Sequence, residues 1–243
     1  MPSAAFQTAV HLIYPPRCTL CGASVATDFG LCGPCWRDTP FISGLVCDAC
    51  GVPLPGDESE AVEYCDDCLS NARPWSRGRA ALRYHENGRK LVLALKHGDR
   101  HDIVHPAARW MARAAAPLLT SDMLIAPVPL HWLRMLKRRF NQSALLAQGV
   151  AAATGLPVCP DLLIRPKRTH SLKGLGVEAR HAMLSDAIRP HPRRLTLLIG
   201  RTILLIDDVM TSGATLSAAA QACHSAGARD VRILTLARAA KDA

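Results

Sequence analysis

No stretch of roughly 18 residues in this chain is both apolar and free of charge, which excludes a transmembrane helix. The N-terminus lacks a positive flank and a full apolar core before Arg17, so no secretory leader is expected. The glycine-rich phosphate motifs are missing too. No G-x-G-x-x-G follows the first predicted strand and no G-x-x-x-x-G-K-[ST] occurs, so dinucleotide and P-loop sites have no support. A serine or cysteine nucleophile with a histidine partner is not evident. Acidic side chains are in short supply, 20 Asp and Glu against 29 Lys and Arg. The resulting charge of +9 favours anionic partners, phosphorylated metabolites or nucleic acid. That excess is not gathered in a tail, which argues against a disordered nucleic-acid arm. What is present is a 243-residue chain, 49% apolar. It has room for one α/β domain of about 160 residues and a smaller unit.

Cysteine, by contrast, is abundant and patterned. Eight of the 10 cysteines fall before residue 70 as Cys18/Cys21, Cys32/Cys35, Cys47/Cys50 and Cys65/Cys68. Cys159 and Cys223 are single and read as core thiols. Four C-x-x-C pairs in one short segment point to metal rather than disulfides, and to a reducing cytoplasm. Between Cys18 and Cys68 apolar residues are too few for an ordinary core and turn formers abound, so metal has to supply the folding energy. Each pair offers two thiolates from one knuckle, and two knuckles make a tetrahedral S4 site suited to Zn2+. About two structural zincs are therefore expected. Gaps of 10 and 14 residues allow consecutive ribbons, the preferred reading; a crossed pairing is equally legal by spacing. Asp57, Glu58, Glu60, Glu63, Asp66 and Asp67 favour a protein-facing over a DNA-facing module.

Ser3–Ile13 is predicted as a short amphipathic helix ended by Pro15-Pro16, and Asn71–Gly78 as a hinge. The chain then divides into 1–72, helix and double zinc ribbon, and 73–243. In the second part, strands near 80–84, 123–128, 161–165, 202–206 and 231–236 alternate with helices near 88–96, 103–119, 143–154 and 215–226. That alternation predicts an α/β fold with a Rossmann-like parallel sheet. A helical turn is predicted at Glu178–Leu184.

The chemistry concentrates in Ile203–Thr215, I-L-L-I-D-D-V-M-T-S-G-A-T. Four apolar residues make a buried strand, Asp207 and Asp208 sit where it ends, and Thr211-Ser212-Gly213-Ala214-Thr215 opens a helix. Free amides and the macrodipole at a helix start attract an anion, while adjacent carboxylates accept sugar hydroxyls or help hold a divalent ion. Pro127-Val128-Pro129-Leu130 must stop the preceding strand at the same sheet edge, where open α/β sheets bind ligands. A fitting ligand places a 5-phosphate in the cradle, ribose hydroxyls at the carboxylates and pyrophosphate over Val128–Leu130, bridged by Mg2+. Two basic stretches, Arg134–Arg139 and Arg165–Lys173, can neutralise a departing pyrophosphate. The second lies in a long glycine-containing loop that reads as a mobile lid.

Ile203–Thr215 resembles the phosphoribosyl pyrophosphate (PRPP) motif of type I phosphoribosyltransferases. The wider chain is similar to the ComF competence family. The marks are Pro15-Pro16-Arg17-Cys18-x-x-Cys21, the double ribbon, Leu95-Lys96-His97-Gly98, Pro127–His131 and Phe140-Asn141-Gln142. The resemblance implies PRPP at Asp207, Asp208, Thr211, Ser212, Gly213, Ala214 and Thr215, with Val128, Pro129 and Leu130 as the pyrophosphate loop. It also implies that 165–180 is a flexible hood whose arginine matches Arg180. Leu172 stands where the hood usually has Gln, Met183 where it has Asn, and Arg138-Arg139 replaces Arg-Gly. Two functions are implied: Mg2+-dependent phosphoribosyl transfer to a base acceptor, or a non-catalytic role handling single-stranded DNA with competence proteins during natural transformation.

Overall fold

The structure is a computed structural model and describes residues 14–57, 61–97, 100–130, 140–166 and 187–239. The expected Ser3–Ile13 helix, the basic stretch Arg134–Arg139, the Glu178–Leu184 turn and Arg180 lie outside the described residues. Helices α1 (Gly33–Arg37) and α2 (Asp66–Ser70) belong to the cysteine-rich region. They are followed by β1 (Arg77–Arg83), α3 (Glu86–His97), α4 (Val104–Ala115), β2 (Leu124–Pro127) and α5 (Gln142–Thr154). Next come β3 (Leu163–Ile164), β4 (Arg189–Pro190), β5 (Thr202–Met210), α6 (Ala214–Ser225) and β6 (Asp230–Arg238). Four strands form one sheet in the order β1-β6-β5-β2, all parallel.

The central strands are apolar on both faces because helices or ribbon cover both, as a parallel sheet requires. Leu204, Ile206, Leu234 and Leu236 face one core with Leu91, Leu95, Met111, Leu146 and Val150 of α3, α4 and α5. Ile203, Leu205, Val231 and Ile233 alternate to the other face, against Leu216, Ala219 and Cys223 of α6. The second cysteine cluster joins that second core through Cys47, Cys50, Cys68 and Trp75.

Three expectations change. Leu163–Ile164 is not a strand of the parallel sheet: β3 pairs antiparallel with β4, apart from it. The parallel contact on the free edge of β2 comes earlier, where Ile125 bonds the Pro157 carbonyl and Cys159 N–H bonds that of Ile125. Pro157 and Pro160 flank this bridge and cannot donate, so it cannot lengthen into a strand. β5 continues four residues past Ile206, through both aspartates. The segment read as a hinge is partly sheet, with Trp75 buried and Arg77 and Gly78 in β1.

The two ribbons are repeats of one design. In each, the first cysteine pair closes a knuckle in which Gly22 or Gly51 bonds back to Cys18 or Cys47. The second pair sits on a five-residue helix whose first cysteine, Cys32 or Cys65, is its N-cap. The chain between them runs along the outer edge of β1, where Phe41 pairs with Leu82 and Ile42 bonds the Ala81 carbonyl. That covers an edge which would otherwise be open to foreign strands.

Candidate functional site

Two metal centres come directly from the cysteine pattern. The Sγ atoms of Cys18, Cys21, Cys32 and Cys35 lie within 4.8 Å of one another, as do those of Cys47, Cys50, Cys65 and Cys68. Consecutive pairs share a site, as preferred. A tetrahedral ion with Zn–S bonds of about 2.3 Å sets its sulfurs about 3.8 Å apart. Cys21 and Cys32 stand at 3.6 Å, and Cys50 and Cys65 at 3.7 Å. Both donor sets therefore fit structural zinc in all-thiolate coordination. A hydrogen bond from Cys50 lowers the pKa of the Cys47 thiol despite its burial. Cys159 and Cys223 are buried, and burial pushes Cys223 up to about 12, as expected of inert core thiols.

The second site forms where the sheet loses a neighbour. β2 ends at Pro127, paired to Ile206, and Val128 N–H makes a last bond to the Ile206 carbonyl. Beyond that point, among the described residues, β5 keeps only β6 beside it, as far as Met210. The side vacated by β2 is a crevice at the carboxyl ends of the strands. Asp207 and Asp208 occupy its floor, and two helix ends reach them. Lys96, in the last turn of α3, pairs with Asp208 at 3.0 Å. Ser143, in the first turn of α5, donates its hydroxyl to Asp207 at 2.8 Å. The Asp208 amide also donates to Asp207, at 2.9 Å. Burial, with the neighbouring Asp208 charge second, pushes Asp207 up to about 7.

Asn141 ties this corner together. Its carbonyl oxygen caps α5 by accepting from Ser143 N–H, and its amide donates to the Val128 carbonyl at 3.1 Å. The Val128-Pro129-Leu130 turn is thereby anchored beside the crevice. Gln142 donates to the Lys96 carbonyl and joins α5 to the end of α3.

Across the crevice, β5 turns into α6 through Thr211, Ser212 and Gly213. Gly213 has φ of +81° and is the N-cap of α6, without a side-chain cap. A Cβ there would lie 2.8 Å from Met210 Cε and 3.2 Å from the Trp75 ring, and the left-handed conformation disfavours one anyway. The first amides of α6, at Ala214 and Thr215, have no acceptor within the helix. Arg238 fixes the loop from below, donating to the carbonyls of Thr211 at 2.7 Å and Met210 at 3.3 Å. From the ribbon side Arg73 donates to the Ser212 carbonyl at 3.0 Å.

Of the residues expected from sequence, Asp207, Asp208, Thr211–Thr215 and Val128–Leu130 therefore border one crevice. Arg180 is outside the described residues. Lys96, Asn141 and Ser143 had no assigned role there; the Leu95–Gly98 and Phe140–Gln142 motifs were the only sequence signal for the first two, and Ser143 marked only a helix start. Arg73 and Arg238 had none.

A phosphoribosyltransferase-type domain preceded by a double zinc ribbon is what fold and matches define together. Residues 9–69 match the double zinc ribbon domain, and residues 141–243 the phosphoribosyl transferase domain. The chain is 32% identical over 235 residues to the DNA utilization protein YhgH of Salmonella typhi, spanning 93% of this chain and 99% of that protein. It is 26% identical over 229 residues to Competence protein F of Haemophilus influenzae, with 92% and 97% covered. With Competence protein ComFC of Bacillus subtilis it shares 27% identity over 219 residues, 87% and 85% of the two chains. The chain belongs to the ComF competence family. No helix among the described residues is long and apolar enough to cross a membrane.

Proposed function

We propose that this protein binds PRPP, with Mg2+, in the crevice at Asp207 and Asp208, and uses it in DNA utilization of the kind its relatives are named for. The observation that carries the reading is the extension of β5 past β2. It places two carboxylates at the crevice for a diol, beside a helix start whose free amides suit a phosphate. The 5-phosphate then lies on the amides of Gly213, Ala214 and Thr215 and the hydroxyls of Thr211, Ser212 and Thr215. The ribose hydroxyls donate to Asp207 and Asp208, and pyrophosphate lies along Val128-Pro129-Leu130.

The donor set suits Mg2+ only as an ion that arrives with the ligand. Asp208 already pairs with Lys96, and one Asp207 oxygen is taken by Ser143 and the Asp208 amide. The remaining carboxylate oxygens can add to the waters and phosphates that Mg2+ keeps. Bound there, the ion would neutralise charge building on pyrophosphate. Lys96 keeps the acidic pair from carrying two uncompensated charges. Arg180 and the basic residues 134–139 are assigned to the pyrophosphate and the closing hood.

The test is titration calorimetry of PRPP with Mg2+ against wild type and an Asp207→Ala, Asp208→Ala double variant. Binding to wild type alone is expected; equal binding to both would remove the site. The same mixture, offered a panel of nucleobases while pyrophosphate release is followed, decides whether phosphoribosyl transfer occurs. Relatives named for DNA utilization and competence favour a second reading, in which the ligand-bound protein handles single-stranded DNA without turnover. Under that reading, pyrophosphate is not released and single-stranded DNA binds with steep salt dependence.

A further inference from the structure

One arginine, Arg73, touches both the second four-cysteine centre and the phosphate loop. Arg73 is nearly buried, its side chain 9% exposed. Its Nε donates to the Cys68 sulfur at 3.5 Å, and a terminal nitrogen donates to the Ser212 carbonyl at 3.0 Å. Asp67, the neighbour of Cys68 on α2, pairs with the other terminal nitrogen. The guanidinium also lies 5.7 Å from the centre of the Trp75 ring, and that ring in turn leaves no room for a side chain at Gly213. Arg238 supports the same loop without touching a cysteine: it donates to the Met210 and Thr211 carbonyls.

The charges account for the pattern. A zinc held by four thiolates carries a formal charge of about −2, which the nearly buried Arg73 guanidinium against Cys68 partly offsets. Arginine is suited to this because its planar fork can donate to a sulfur and to a carbonyl at once. Outer partners of a metal site commonly orient what surrounds it. Here the surroundings include the Ser212 carbonyl of the turn that starts α6. The first ribbon has no such link among the described residues: its Arg100 contact ends on the Thr19 carbonyl and Asp102, away from the crevice.

We propose that Arg73 is a positioning residue through which the second cysteine centre sets the Thr211–Gly213 loop, so that metal at that centre, not at the first, governs phosphate binding. The loop geometry stands by itself; the ligand arm of the proposal rests on the PRPP reading above.

The experiment uses the full chain and three variants: Arg73→Met, Asp67→Asn and Cys21→Ser. Amide hydrogen exchange at residues 211–216, zinc content and PRPP titration with Mg2+ are measured on each. Arg73→Met is expected to speed exchange at 211–216 about tenfold and weaken PRPP about tenfold, the loss of one charge-assisted bond. Asp67→Asn, at a half-exposed position, should move the same amides less and serves if Arg73→Met does not fold. Cys21→Ser should cost one zinc and leave 211–216 unchanged. Unchanged exchange at 211–216 in both Arg73→Met and Asp67→Asn overturns the proposal. So does an equal effect from Cys21→Ser, which would mean general loosening. If wild type binds no PRPP, the ligand reading falls, while the exchange data still decide the coupling.

Discussion

Asp207 is where the crevice stores its electrostatic tension. Burial and the Asp208 charge raise its pKa from 3.8 to about 7, against the Ser143 hydroxyl, the Asp208 amide and the more distant Lys96 charge, which favour the anion. The folded chain thus holds this proton more tightly than the unfolded chain. Its contribution to stability is fully present below pH 3.8 and is lost as pH rises through about 7. Asp207→Asn removes the loss. Its stability relative to wild type should climb between pH 5.5 and 8 by about 1–3 kcal/mol, read from urea midpoints at each pH. A difference flat across that range would mean the carboxyl is ionised throughout. The same tension makes PRPP binding pH-dependent, because sugar hydroxyls donate best to an ionised carboxylate. Calorimetric affinity should therefore rise from pH 6 to 8 and level off above Asp207's pKa, while Asp207→Asn should show a weaker, flatter profile. The aspartate pair was legible in the sequence because acid-acid-x-x-Thr-Ser-Gly after an apolar run has a chemical reason. Lys96 and Ser143 were not legible as its partners. They sit on different helices, 112 and 64 positions from the residues they touch, and no local pattern encodes that meeting.

At the scale of elements, the join between the second ribbon and β1 is made by backbone approaching backbone. A Cβ at Gly51 would lie 2.7 Å from the Ala80 nitrogen, and one at Gly78 would collide with the Ala49 carbonyl oxygen. Gly78 N–H bonds the Asp48 carbonyl at 2.7 Å. The Asp48 carboxylate accepts from Arg77 at 2.9 and 3.0 Å and from Arg79 at 2.7 Å. Burial opposes that charge, yet the two guanidiniums hold the carboxyl below its usual range. Gly78→Ala should prise ribbon from strand and cost about 2–4 kcal/mol in chemical denaturation, since neither backbone can yield cheaply. Gly22→Ala, at a left-handed φ that Gly78 does not have but with nothing near its Cβ, should cost only about 1–2 kcal/mol of backbone strain. Equal costs at the two glycines would mean the contact is not tight. Neither glycine stood out as a contact in the sequence, because close approach is a property of two segments. Helix ends were more legible: Gly155 in a left-handed conformation ends α5 where the sequence predicts it. Strand ends were less so. β5 passes through Asp207 and Asp208 because β6 still pairs beside it, and polar residues stay in a strand whose edge faces a crevice.

For the molecule as a whole, the two metal centres carry unequal loads although their ligands are alike. Cys47, Cys50 and Cys68 are buried in the core that also holds Ile203, Leu205, Ile233 and Leu216, so the second centre and the sheet share one cooperative unit. Cys21 is exposed, and the first centre touches the sheet chiefly through the 40–42 segment and the Trp36–Phe41–Trp110 ring cluster. Where metal binding supplies folding energy, removing it destabilises whatever is folded upon it. Metal analysis should find about two zincs per chain. Titrating a chelator should then release them in two steps. The first, from the Cys18–Cys35 centre, should leave the helical circular dichroism nearly intact. The second, from the Cys47–Cys68 centre, should lower the melting temperature by on the order of 10 °C or unfold the chain outright, because the second core loses one wall. Cys21→Ser should abolish the first step only, and Cys50→Ser should remove the second step together with the cooperative transition. Simultaneous release of both ions without a change in melting temperature would show that the sheet stands without its ribbons, and that the shared core contributes little.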